Sequence, residues 1–164
     1  MEHLIVEASE AEGLEVRENP QSRMIGLWAL RAFRKGETVF PFFAAEELDH
    51  PTRLTVQMGE RRHISLLPEA LQYTNHGCDP NVLFNMDEMR LEALRDITPG
   101  EELRYFYPAT EWRMDEPFTC NCGAAGCLSR IDGAWSLPAG VMSKYKVSSY
   151  IKSRLDARDR DDHA

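Results

Sequence analysis

Nowhere in these 164 residues does an apolar run approach the roughly 20 residues that a membrane-spanning helix requires. The opening MEHLIVEASEAEGLEV has no basic patch followed by a long apolar stretch, so no leader peptide is expected there. Internal repeats and low-complexity blocks are missing too. Cations are scarce relative to anions: 19 Lys and Arg stand against 27 Asp and Glu, a formal net charge of −8. A general DNA- or RNA-binding surface needs Lys and Arg to meet phosphates, so direct nucleic-acid binding is not expected. The acidity suits a basic partner, such as a lysine-rich peptide, as well as it suits plain solubility. What is present, 43% hydrophobic and 28% charged residues, is ordinary for a globular protein, and the length suits one domain with a sizeable core. The expected setting is cytoplasmic, with the nucleus open for a eukaryotic protein.

GLEVRE (13–18) and MIGLWALRAF (24–33) read as strands, and RKGETVFPFF (34–43) as a turn followed by a strand. In RLTVQMGERRHISL (53–66), Leu54, Val56 and Met58 alternate before Gly59 turns the chain, which is a hairpin pattern. PEALQY (68–73) is a helical turn or two opened by Pro68. NVLFN and MRLEALRDI pair about a turn at Asp87-Glu88, ITPGEEL turns again, and LRYFY is one more short strand. Many short strands at near-regular spacing predict a mainly β fold. Tyr145, Val147, Tyr150, Ile151 and Leu155 predict a C-terminal helix over about 143–157, followed by a charged tail without apolar anchors that frays.

Polar chemistry concentrates in two places. YTNHGCDPN (73–81) sets Asn75, His76, Cys78 and Asn81 around an Asp79-Pro80 turn, where they either line a site or satisfy a buried turn. CNCGAAGC (120–127) is a C-x-C-x4-C cluster whose glycines allow tight bends. The chain has four cysteines, and Cys78 is the only one outside the cluster. Zinc takes four thiolates tetrahedrally, so Cys78, Cys120, Cys122 and Cys127 make a complete ligand set for one structural ion. Free or disulfide-bonded thiols are the alternative. His3, His50, His63 and His163 fall in no cluster, and the Glu101-Glu102 pair reads as the end of a turn.

These motifs resemble those of the SET-domain lysine methyltransferases. NHGCDPN is similar to that family's NHSCxPN, GEELRYFY (100–107) to its GEELxYDY, and CNCGAAGC to its post-SET cysteine cluster. IGLWALRAFRKGETV (25–39) resembles its N-terminal GxGxxA stretch. The order is the family's, over roughly residues 13–137. Departures are Met24 for the first glycine of GxG, Gly77 for serine, Phe106 for the aspartate between the two tyrosines, and a short region near 48–66 with no cysteine-rich segment before it.

The resemblance implies a SET fold of several small sheets with a threaded, knot-like C-terminal segment. It divides the chain into a SET domain (10–110), a post-SET zinc segment (111–137) and a C-terminal helix with a frayed tail (138–164). It implies S-adenosylmethionine as methyl donor, held by Gly26, Leu27 and Trp28, by Asn75 through the cofactor's amino or carboxylate group, and by His76 beside the adenine and ribose. Tyr107 borders the same pocket. Leu128, with Trp112 or Phe118, would cap the adenine. Tyr107 is the implied catalytic residue, by orientation rather than as a base, since an ordinary tyrosine pKa is near 10. Tyr105 is the implied regulator of product state, favouring monomethylation of a lysine in a protein or peptide. Two other readings stay open: transfer to a small-molecule or peptide amine, and a non-catalytic module that binds a protein partner.

Overall fold

The computed structural model describes residues 13–163, so His3 and the opening stretch read for a leader lie outside it. Among the described residues, twelve short strands build four small sheets. The central one runs β1 (Leu14–Glu18), β2 (Ile25–Ala29), β10 (Glu102–Tyr105), β7 (Asn75–His76). β10 therefore inserts between two earlier strands, antiparallel to β2 and parallel to β7. A second sheet joins β3 (Thr38–Pro41), β9 (Arg90–Ala93) and β8 (Val82–Asn85), and a third joins β4 (Phe43–Leu48), β6 (Arg62–Leu67) and β5 (Val56–Gly59). β11 (Phe118–Thr119) and β12 (Arg130–Ile131) pair near the cysteines. No helix among the described residues is long and apolar enough to cross a membrane.

The two-residue period of a strand sorts the central sheet into two faces. Leu27, Ala29, Leu103 and Tyr105 point into a core with Phe42 and Phe84. Gly26, Trp28, Glu102 and Arg104 take the opposite parity and form a polar face. A second core joins Phe106 and Trp112 to Met142 and Ile151 from the C-terminal segment.

Several expectations change in detail. RKGETVFPFF is two strands in two sheets: Phe42, wholly buried against Phe84, turns the chain from β3 into β4. β4 was not legible because its side chains are exposed along almost the whole strand and show no alternation. Leu54 is exposed ahead of the hairpin, while Gln57 is buried within it by hydrogen bonds described below. LRYFY ends as a strand at Tyr105, and Tyr107 opens a 3-10 turn, Tyr107–Ala109.

The C-terminal helix also shifts. A short helix α1 (Ala139–Met142) precedes α2 (Ser149–Asp162), which starts where the Ser148 side chain accepts from the Ile151 N–H at 3.2 Å. Helix α2 runs on to Asp162, five residues past the expected end. Arg158 holds that end, its Nη1 donating to the carbonyls of Ala134, Trp135 and Leu137 at 3.2, 3.2 and 2.7 Å. Arg158→Ala should cost about 1.5–3 kcal/mol, read as a lower denaturation midpoint. Lys152→Ala, which breaks only an exposed pair with Asp156, should change it by less than about 0.5 kcal/mol.

Candidate active site and metal centre

The four cysteines converge. Their sulfurs all lie within 4.8 Å of one another, and Cys78 Sγ is 3.9 Å from Cys120 Sγ. A tetrahedral ion with bonds of about 2.3 Å puts its sulfurs about 3.8 Å apart. A disulfide would need about 2.05 Å, and all four thiols are free. Burial pushes the Cys78 thiol up to about 11 and raises Cys120 as well, so buried thiolates here call for a cation. The donor set fits zinc. The cluster lies between β11 and β12, with Ile131 fully buried beneath it.

One histidine joins this cluster to the tyrosines. His76 is 6% exposed and its two ring nitrogens have different partners. Nδ1 accepts from the Tyr107 backbone N–H at 3.1 Å, which leaves Nε2 to carry the proton and donate to Cys78 Sγ at 3.3 Å. Burial first, then the Arg104 charge, lowers its pKa to about 4, so the ring is neutral, as this pattern requires. The Leu128 N–H also points at Cys78 Sγ, at 3.4 Å. Such outer hydrogen bonds orient and charge-balance thiolate ligands. The Tyr145 hydroxyl donates to the Cys78 carbonyl at 2.7 Å, and its ring stacks on Phe106 at 3.6 Å. That stack gives Phe106, at the position of the family's aspartate, a partner from the C-terminal segment.

Tyr105 and Tyr107 stand with ring centroids 4.6 Å apart. Burial pushes the Tyr107 hydroxyl up to about 12 and raises Tyr105 strongly, so both stay protonated near neutrality. The Tyr107 hydroxyl donates to the Thr74 carbonyl at 3.3 Å. Phe118 packs against His76 and Tyr107, with centroids at 5.6 and 5.8 Å. Trp112 instead lies in the second core with Arg154 over its ring, so of the two aromatics considered for the adenine it is Phe118 that reaches this site.

The polar face of the central sheet supplies the rest. Asn75 Nδ2 donates to the Ile25 carbonyl at 2.9 Å and to Glu102 Oε1 at 3.2 Å. Both amide hydrogens are spent and Oδ1 remains as an acceptor. Glu102 does more than end the turn the sequence shows: it opens β10, and its carboxylate is held on the polar face by Arg104 Nη2 at 2.7 Å. The signal was its parity with Arg104, opposite to core residues Leu103 and Tyr105. A Cβ on Gly26 would fall 2.5 Å from Glu102 Oε1 and 3.2 Å from Asn75 Nδ2. A Cβ on Gly77 would press on Arg104 at 3.1 Å, so glycine in place of serine makes room for that side chain. Leu27 is buried in the core and can face the site only by its backbone, while Trp28 Nε1 is buried without a hydrogen-bond partner. Glycine at 26 lets the Glu102 carboxylate and the Asn75 amide close against the strand, and Asn75 Oδ1 and Trp28 Nε1 are the acceptor and donor left over for a small polar ligand.

Protein purified without chelator should carry about one zinc per chain by elemental analysis. Cys122→Ser should lose it and speed hydrogen exchange across residues 118–131. His76→Leu, which leaves all four thiols, should keep the ion but speed exchange of the Tyr107 amide.

Comparison with known proteins gives this arrangement a relationship. The SET domain model matches residues 24–108. Methyltransferase flvH of Aspergillus flavus is 40% identical over 106 residues, 63% of this chain and 59% of flvH. The Histone-lysine N-methyltransferase, H3 lysine-4 specific, of Emericella nidulans is 40% identical over 63 residues, 34% of this chain and 5% of that protein. The chain thus spans about three fifths of the first relative and a small part of the second. The crystal structure of KRYPTONITE in complex with mCHG DNA and SAH matches with a TM-score of 0.56 at 19% identity, over 71% of this chain and 28% of that one, a likeness of fold. On the match of more than half its length, this chain belongs to the SET-domain family.

Proposed function

We propose that the protein is an S-adenosylmethionine-dependent methyltransferase that adds one methyl group to a lysine side-chain amine of a protein substrate. The observation that carries the reading is the pair of protonated, buried tyrosines 4.6 Å apart, with the His76 ring accepting from the Tyr107 backbone N–H. The names of the relatives support it: one is called a methyltransferase and another a histone-lysine N-methyltransferase. The cofactor supplies a methyl group on a sulfonium.

The chain's own groups would divide the work. Gly26, Leu27 and Trp28 hold the methionine end of the cofactor by close backbone approach. Asn75 Oδ1 and the Glu102 carboxylate are acceptors, so this cradle favours the ammonium of the cofactor rather than its carboxylate. His76 lines the pocket mainly by fixing Tyr107, while Leu128 and Phe118 close it near the cysteines. The Tyr107 hydroxyl orients the amine and the methyl group; alignment of this kind removes several kcal/mol of barrier. The Tyr105 hydroxyl limits the room for an amine that already bears a methyl group. The net charge of −8 suits a basic substrate segment rather than a nucleic acid, whereas the complex of KRYPTONITE contains DNA. A small-molecule or peptide amine is the second reading, favoured by the β5–β6 hairpin being all that lies between Leu48 and Pro68.

Tyr107→Phe should preserve stability and cofactor affinity and lower turnover by about 100-fold or more. Tyr105→Phe should move the product from mono- towards di- and trimethylation, seen by intact mass. Asn75→Ala should weaken cofactor binding by roughly 1.5–3 kcal/mol in calorimetry. Labelled-cofactor transfer into histones and a lysate, read by mass spectrometry, tests the reading itself; labelled small amines with no labelled protein would favour the second.

A further inference from the structure

The roles above leave Glu111 unused. It is 5% exposed and lies just past the turn that carries Tyr107. Its N–H donates to the Tyr107 carbonyl at 2.9 Å, and its own carbonyl accepts from the Ala134 N–H at 2.9 Å. Its carboxylate reaches across to the hairpin, where Oε2 accepts from the Gln57 N–H at 3.0 Å. The Gln57 side chain returns the contact: Oε1 accepts from the Trp112 N–H at 2.9 Å, while Nε2 donates to the Gly59 carbonyl at 2.9 Å. Gln57 and the Glu111-Trp112 pair thus close a ring of two hydrogen bonds across 54 positions of sequence.

The ring joins two parts of the same centre. β5 is an end strand of its sheet, and Val56, next to Gln57, is buried in the core that holds Tyr105. Met58 and Tyr107 pack on that core as well. On the other side the backbone of Tyr107 is held at both ends. His76 Nδ1 accepts its N–H at 3.1 Å, and its carbonyl accepts from the Thr110 and Glu111 N–H groups at 3.1 and 2.9 Å. Behind the ring, Gly133 lies so close that a Cβ there would collide with the Trp112 carbonyl. Burial disfavours the charge of Glu111 and pushes its carboxyl up to about 7. What a carboxylate supplies here, and an apolar side chain would not, is a bond of fixed direction to one amide of the hairpin.

Building on the methyltransferase reading, we propose that Glu111 is a positioning residue of methyl transfer: by clasping Gln57 it sets how far β5 stands from the Tyr107 turn, and with it the line along which the acceptor amine meets the methyl group. The β5–β6 hairpin is all that lies between Leu48 and Pro68, so no other element of that stretch steadies β5. The work assigned to the Tyr107 hydroxyl is orientation, and orientation is sensitive to small displacements. Misplacement on the order of 1 Å is enough to slow an aligned transfer by about 100-fold. Glu111 therefore acts on the rate through Tyr107 and β5, without touching the reacting atoms.

The test is turnover with histone H3, or with the acceptor that labelling identifies, counted per cofactor-binding site by calorimetry so that unfolded molecules drop out. Glu111→Ala removes the acceptor of the Gln57 N–H and leaves the backbone bonds of residue 111. It should lower kcat by roughly 10- to 100-fold, with cofactor affinity and zinc content unchanged. Glu111→Gln keeps an oxygen at that place and should recover most of the lost rate. Gln57→Ala breaks only the Trp112 half of the ring, so it should fall between the two, and it carries the test if Glu111→Ala does not fold. Ser148→Ala is the control: it removes the cap of α2 and lowers the denaturation midpoint, yet turnover per site should stay at the wild-type value. Three results overturn the clasp and leave the methyltransferase reading standing. They are wild-type turnover per site in Glu111→Ala (or in Gln57→Ala where it alone folds), a Glu111→Gln as slow as Glu111→Ala, and a rate that follows the midpoint in every variant, the control included. A wild type that methylates no amine removes that reading, and the clasp with it.

Discussion

The site depends on one imidazole ring serving two masters. His76 accepts a hydrogen bond from the Tyr107 backbone N–H and donates one to the sulfur of Cys78. A neutral ring cannot exchange those roles without breaking both bonds, so the tautomer is set by the structure on either side. A metal on the four sulfurs would fix the position of Cys78, and through the ring the position of Tyr107. The Tyr145 hydroxyl holds the same cysteine from its carbonyl side. Three stretches far apart in the chain thereby share one rigid junction, which is how a protein built of very short strands keeps an organised centre.

The central sheet solves a different problem. Its core face is apolar up to the edge, where His76 stands beside Tyr105, while its other face carries Gly26, Trp28, Glu102, Arg104 and the neighbouring Asn75. Buried polar groups must be satisfied or they destabilise, and here Glu102 satisfies two at once by accepting from Asn75 and Arg104. Gly26 and Gly77 are the openings that this arrangement needs. The substitution of glycine for serine and the presence of Arg104 form one feature rather than two departures, because the arginine lies over the space that a side chain would fill.

The legible parts of the sequence were those with local patterns. Strands β1, β2, β8 and β9 show in their apolar runs and turns, and the four thiols that converge show in the cysteine count and the CNCGAAGC spacing. The motifs NHGCDPN and GEELRYFY marked the two segments that meet as β7 and β10, although nothing local says that they lie side by side in parallel. β4 was hidden by having almost no buried face, and the extent of α2 by a surface rich in charge whose stability comes from Arg158 gripping another segment. Glu111 and Gln57 were invisible for the same reason: each is buried because of the other, 54 positions away.

The stack of Tyr145 on Phe106 has a bearing on how the molecule comes into being. The residues that complete the second core, Met142 and Ile151, follow every catalytic and metal-binding candidate in the chain. During synthesis the strands of the first core can pair early, but the Phe106 ring lacks its stacking partner until Tyr145 has emerged. Contacts of such long sequence separation form late, after the cost of closing the loop has been met. A nascent chain cut short before Tyr145 would leave its apolar patch at Phe106 open to solvent, the condition under which chaperones or unwanted association have their opportunity.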